Sequence, residues 1–261
     1  MLSSEMRACG ILHQDQPKRK LRAAIENMPS RQLLIVDNTP LSSATRGQRL
    51  TFTPVEDYYT GRRDATSGIM FGNVSTNDTE IPVAIKPHDN IASALSEFCI
   101  TQHLISEGHI KPYQPLGFLS GRDSIYTLSA FEGDVVSCDT ITDGTDIPKK
   151  IQKVLLVGAA TLAMLHKSGV AHGDAQIKNT AFSVKTGEER AINLTSSYFD
   201  KSGRGIIDDM HSYIGTLPDY ISPALDDDHI EEYFIDPYLS LVAGALSKKQ
   251  QDSVHRATNN L

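Results

Sequence analysis

Long apolar runs are absent from this chain. No stretch approaches the roughly 20 consecutive apolar residues that a helix needs to span a bilayer, so no membrane helix and no membrane partner are expected. An excess of positive charge is absent too: the formal net charge is -7, which argues against a protein that binds nucleic acid by broad phosphate neutralisation. The densest basic stretch, Lys18, Arg19, Lys20 and Arg22, reads as the solvated face of an N-terminal helix. Cysteine is scarce. Cys9, Cys99 and Cys138 are scattered and odd in number, without the close Cys or His pairing of a zinc site, so neither structural disulfides nor zinc are expected. Residues 1 to 12 lack a basic cluster followed by an apolar stretch and a small-residue cleavage site, which points to a cytoplasmic protein. Internal repeats and low-complexity tracts are missing as well.

What is present is a 261-residue chain, 39% hydrophobic and 22% charged, long enough for one large domain or two lobes sharing a cleft. From Glu5 to Asn27 a weak helical pattern is broken at Pro17, and the segment reads as an appendage to the core. Gln32 to Asp37 is a short β-type run. Leu50 to Val55, Gly68 to Val74 and Ile81 to Lys86 read as three successive strands of an antiparallel sheet. A helix follows over Ala92 to Glu107, with Gly108 as its stop. Leu116 to Leu119 and Ser124 to Ala130 predict two more strands. After Gly133 the character changes: Ile147 to Ser168 carries so wide an apolar face that the helix must be buried. Thr180 to Val184 and Ala191 to Leu194 flank a hairpin at Lys185-Thr186-Gly187. Helical material is predicted from about Ile207 to Leu217 and from Ile230 to Leu246.

Chemistry concentrates in Val170 to Phe182, where an acid, a glycine and an amide sit between a buried helix and a strand. Asp174 has the character of a general base, and Asn179 that of an oxygen ligand for a hard cation such as magnesium. A capped turn satisfies the same pattern. Upstream, Val83-Ala84-Ile85-Lys86 ends a strand with a lysine, and the helix after it carries Glu97. Such a lysine is either a surface charge or, if an acid holds it, a grip for phosphate.

Taken together, these residues resemble the protein-kinase-like superfamily. Val83-Ala84-Ile85-Lys86 looks like its third-strand lysine motif, Glu97 like the helix partner, and His172-Gly173-Asp174 with Asn179 like the catalytic loop. The 88 residues from Lys86 to Asp174 leave room for a helix, two strands, a hinge and a long helix. The resemblance covers roughly residues 50 to 246. It implies phosphoryl transfer from ATP with magnesium or manganese, in which Lys86 contacts the α and β phosphates, Glu97 orients Lys86 and Asp174 serves the acceptor hydroxyl. Asn179 and Asn193 would be the metal ligands. Ser129 to Glu132, with Ser129 and Phe131 in it, would be the hinge that meets adenine. Gly61, Ser67 and Gly68 would belong to the loop over the phosphates, and Asp209 would brace the catalytic loop.

The sequence departs from the family pattern in three places. Asn193, in Ala191-Ile192-Asn193-Leu194-Thr195, stands where the family has the metal-binding Asp of Asp-Phe-Gly, and Asp200 is an alternative acid on what reads as an exposed loop. The stretch Gly61 to Gly68 supplies two glycines where three are usual. Only 16 residues separate Asn193 from Asp209, with no Ala-Pro-Glu, so a long activation segment is absent. The His-Gly-Asp form resembles the aminoglycoside-phosphotransferase-like branch and small bacterial-type kinases, whereas the short region after Asp209 is shared with compact atypical protein kinases.

The expected fold is therefore α+β and bilobal: an N-terminal extension over 1-49, a β-rich lobe with one helix over 50-133, and a mainly helical lobe over 134-261. The expected function is an ATP-dependent atypical Ser/Thr protein kinase. A small-molecule kinase, or a pseudokinase serving as a binding module, is the alternative.

Overall fold

The computed structural model describes residues 5–44, 46–55, 68–76, 80–108, 113–121, 124–131, 134–140, 147–217 and 227–258. The chain divides into two compact units. One comprises Met1–Tyr59, Arg63–Gln102 and Tyr113–Gly133, the other Thr60–Arg62, His103–Pro112 and Asp134–Leu261. Both α and β elements are abundant, in keeping with the α+β expectation.

The first unit is built on alternation. In strand β3 (Arg49–Pro54) Leu50 and Phe52 are buried while Arg49, Thr51 and Thr53 are exposed, so one face of the strand is committed to an interior. Strands β1 (Glu5–Leu12), β2 (Gln32–Val36), β4 (Met70–Ser75), β5 (Glu80–His88), β6 (Pro115–Ser120) and β7 (Ile125–Ala130) join β3 in a closed barrel of order β1-β2-β6-β7-β5-β4-β3. Met6, Leu33, Ile35, Leu50, Phe52, Val83, Ile85 and Leu128 belong to one buried cluster. A second cluster unites Leu21 and Ile25 of helix α1 (Lys18–Glu26), Ala94, Leu95 and Phe98 of helix α2 (Ile91–Glu107), and Leu34, Val36 and Phe118 of the sheet. The predicted α2 is present. Asn90 Oδ1 accepts from the Ser93 amide at its start, and Gly108 (φ +68°) ends it, its amide donating to Leu104 O.

Two expectations are corrected here. Residues 5 to 12 form a strand rather than part of a broken helix, and the N-terminal segment is integral to the barrel. Its period is hidden by a bulge: Ala8 pairs with Leu33 and Gly10 with Leu34, so Cys9 is the extra residue, and the alternation that buries Met6 and Ala8 inside passes to the other cluster at Leu12. The strands predicted within 50–133 pair antiparallel as expected, but the N-terminal segment adds a parallel pair to the sheet. β1 and β2 pair in parallel, which requires a crossover connection, and α1 supplies it. The basic residues Lys18, Arg19, Lys20 and Arg22 are exposed on that helix, as predicted.

The second unit is organised around helix α3 (Ile147–Lys167), whose Val154, Leu155, Ala159, Leu162, Ala163 and Leu165 are all but inaccessible. Gly158 lets Tyr213 approach it: an added Cβ would lie 2.2 Å from the ring, whose hydroxyl donates to Val154 O at 2.8 Å. Beside α3 lie a three-stranded sheet of β8 (Val135–Ser137), β10 (Thr180–Ser183) and β11 (Glu189–Ala191), and a two-stranded ribbon of β9 (Val170–Ala171) and β12 (Tyr198–Phe199). β11 ends earlier than the predicted 191 to 194, because Asn193 takes the left-handed conformation (φ 58°, ψ 56°) and a 3₁₀ turn, Leu194–Ser196, follows. Helix α4 (Arg204–Thr216) comes next, then a short helix Asp227–Ile230, a π-helical turn Glu231–Ile235 and helices Asp236–Val242 and Lys248–Thr258. None of the described helices is long and apolar enough to cross a membrane.

Candidate active-site residues

In the first unit, Lys86 lies on β5 between the inward-facing Ile85 and the end of the strand, so its side chain leaves the barrel interior. There it meets α2. Lys86 Nζ donates to both carboxylate oxygens of Glu97, at 3.0 Å and 2.8 Å, and both side chains are 17% exposed. The pairing expected from the sequence is thus present, in a setting shielded enough for a charge to act on a ligand and open enough to receive one.

Two residues further along the same face, His88 was missed. Its Nδ1 lies 3.1 Å from Ser93 Oγ of α2 and its Nε2 2.9 Å from Thr127 Oγ1 of β7, so the ring ties the helix carrying Glu97 to the sheet carrying Lys86. Burial holds its imidazole below the ordinary range, helped by the Lys86 charge and opposed by Glu97. The period of two from Lys86 was the available signal.

Ser129 is locked within β7, paired with Ala84 on one side and Pro115 on the other. The amide of Phe131 donates to Pro82 O at 2.9 Å, and its buried ring packs against Phe71 and Tyr113 with centroids 4.8 Å and 5.8 Å away. Gly68 is left-handed (φ +59°), just before β4. Gly61 and Ser67 lie outside the described residues.

In the second unit a single buried carboxylate sets the shape of the loop. Asp209, 1% exposed on α4, accepts from the backbone amide of His172 through Oδ2 at 2.6 Å and from that of Gly173 through Oδ1 at 2.8 Å. Oδ2 also lies 3.1 Å from His166 Nε2, and His166 Nδ1 is 2.7 Å from the hydroxyl of Tyr238. Asp209 has the bracing geometry expected of it; His166 and Tyr238, 72 positions apart, were not foreseen. Gly173 has φ +74°, and a Cβ there would lie 2.3 Å from Ser196 O, so only glycine fits. The His172 ring is fully buried, with Nε2 donating to Ile192 O at 3.2 Å and Nδ1 without a hydrogen-bond partner among the described residues. Burial pushes its pKa down, against the pull of Asp209.

The braced loop presents Asp174, which is half-buried. Its Oδ1 accepts from Gln176 Nε2 at 2.7 Å and its Oδ2 from Asn179 Nδ2 at 2.9 Å; the latter nitrogen also donates to Asp174 O at 2.8 Å. Asn179 Oδ1 accepts from Asn193 Nδ2 at 3.2 Å, and Asn193 Oδ1 accepts from Thr195 Oγ1 at 3.3 Å. The structure therefore brings Asp174, Asn179 and Asn193 into one cluster.

Asp200, by contrast, is buried rather than on an exposed loop, and is committed elsewhere. Its oxygens accept from the amides of Ser202, Gly203 and Gly205 and from Ser202 Oγ. Burial would raise its pKa, but these donors outweigh it and hold the carboxyl low. It is the structural acid at the entry to α4.

The fit of a divalent cation to this cluster turns on the direction of the amides. Asn179 must aim its NH₂ at Asp174, since the reverse orientation would set three oxygens against one another. Its oxygen then faces Asn193, which must answer with a donor. A hard cation seeks oxygen ligands, usually with one or two carboxylates among them. Here the oxygen of Asn179 meets an N–H, and no group of three acidic, His or Cys side chains suited to a metal occurs among the described residues. As arranged, the cluster does not fit a resident divalent cation.

No protein-family model matches this chain, and no curated protein matches it. Among solved structures it is similar to the structure of vaccinia related kinase 3, with 10% sequence identity and a TM-score of 0.49, over 92% of this chain and 88% of that chain.

Proposed function

We propose that this protein is a phosphotransferase of protein-kinase-like build, moving the γ-phosphoryl group of ATP to a hydroxyl, with a Ser or Thr side chain of a protein as the acceptor. The observation that carries the reading is the Asp209 brace: one buried carboxylate fixes the His172 and Gly173 amides and so holds Asp174 in a set position. A base held in place before the substrate arrives is what transfer by positioning requires. The acceptor oxygen attacks the γ-phosphorus, its proton passes to the Asp174 carboxylate, and the bond to the β-phosphate oxygen breaks, leaving ADP with the electron pair. Lys86, oriented by Glu97, offsets charge on the α and β phosphates. Ser129 and Phe131 are assigned to the adenine side, and Gly61, Ser67 and Gly68 to the phosphate loop.

A second reading has one observation in its favour. The neutral Asn193 in place of a carboxylate suits a pseudokinase that binds nucleotide or a partner without transfer. Incubating the purified chain with γ-labelled ATP and magnesium or manganese, beside Asp174→Ala, separates the two. Labelled product from wild type that disappears in Asp174→Ala supports transfer. Tight nucleotide binding with no product leaves the binding module, and the absence of both overturns the kinase-like reading.

A further inference from the structure

We infer that nucleotide binding at this site is independent of divalent cations, Asn193 having replaced a cation-requiring carboxylate with a donor. The inference rests on the phosphotransferase reading above and concerns how its nucleotide is held.

Three observations converge. First, the chain of amides is directional and closed. From the Asp174 carboxylate to Asn179 Nδ2, from Asn179 Oδ1 to Asn193 Nδ2, and from Asn193 Oδ1 to Thr195 Oγ1, each acceptor meets a donor. A cation at Asn179 Oδ1 would compete with the hydrogen bond that Asn193 Nδ2 already makes there. Second, the backbone of Asn193 is left-handed, a conformation that Asn tolerates better than most side chains, and its side chain is anchored at both ends of the amide. Third, Asp200, the alternative acid read from the sequence, already accepts four hydrogen bonds at the start of α4 and is committed there.

The charge balance follows from these groups. In a site with a carboxylate at this position, carboxylate and triphosphate repel one another, and a bridging cation is needed before both can be present. With a neutral amide at position 193 that repulsion is absent.

The test uses the full chain, stripped of metal, and a fluorescent ATP analogue titrated in EDTA and again in excess magnesium. Wild type is expected to bind with Kd values that agree within about threefold under the two conditions. Asn193→Asp, which keeps a side chain tolerant of the left-handed backbone, is expected to bind at least about tenfold more weakly in EDTA than in magnesium. A tenfold or greater magnesium requirement in wild type overturns the inference and leaves the phosphotransferase reading intact. Failure to bind under either condition overturns the reading itself. If Asn193→Asp folds and gains no magnesium dependence, Asn193 is not the determinant and the inference falls; should that variant not fold, the wild-type comparison decides alone.

Discussion

The two units hold their candidate groups in opposite ways. In the barrel unit, Lys86 and Glu97 are opposite charges in a partly shielded setting, so the arrangement depends on Coulomb attraction across a strand and a helix. In the helical unit, Asp174 is surrounded by neutral amides, and the charge that organises the loop, Asp209, is buried behind it against two backbone N–H groups. The contrast separates two ways of holding a side chain. Lys86 is held by the opposite charge of a side chain, whereas the loop that carries Asp174 is fixed through its backbone.

Removing the brace should have the largest effect. Asp209→Ala leaves the His172 and Gly173 amides and the His166 ring without their acceptor, and should cost about 3–5 kcal/mol of stability. Urea unfolding followed by circular dichroism is the suitable measurement, since the chain has no tryptophan. A loss near 1 kcal/mol would show that the loop does not depend on this carboxylate. Asn179→Asp attacks the amide chain instead by setting a second carboxylate against Asp174 Oδ2. It should destabilise by about 1–3 kcal/mol at neutral pH and recover as acid protonates the pair.

Glu97→Gln removes charge from the barrel unit alone. It should weaken nucleotide binding about tenfold, with the unfolding midpoint almost unchanged. The reverse pattern, lost stability with affinity intact, would mean the pair is structural. Tyr238→Phe, which strips one hydrogen bond from His166, should cost about 1 kcal/mol and leave nucleotide affinity alone.

The smallest effect is on pH. Burial depresses the folded-state pKa of both His172 and His88, one in each unit, so the unfolded chain binds more protons just below the ordinary value of about 6.5. Stability should be whole above that pH and decline as the pH falls towards the folded-state values. A midpoint that rises on acidification from pH 7 to pH 5 would contradict this.

Much of this was legible in the sequence because it is local. The strands β3 to β7 announce themselves as short β-type runs between turn residues, α2 by its stop at Gly108, α3 by its apolar breadth, and the pairing of Lys86 with Glu97 by one strand and the helix after it. What escaped was either interrupted or long-range. The bulge at Cys9 scrambled the period of β1 and made a barrel strand read as a frayed helix. Tyr238 and His166 meet only through the packing of helices distant in the chain, and Asp200 is turned inward by the amides that open α4. The orientation of Asn193 is set by its neighbours' hydrogen bonds, which sequence spacing does not encode.

The parallel pairing of β1 with β2 closes the circle between β3 and β6. A closed sheet offers no row of unpaired backbone groups to a passing strand. Deleting the first 44 residues would leave β3 and β6 as two bare borders with apolar inner faces. Such a fragment should recruit strands from its own copies and precipitate, so the N-terminal segment serves this unit as a seal against self-association.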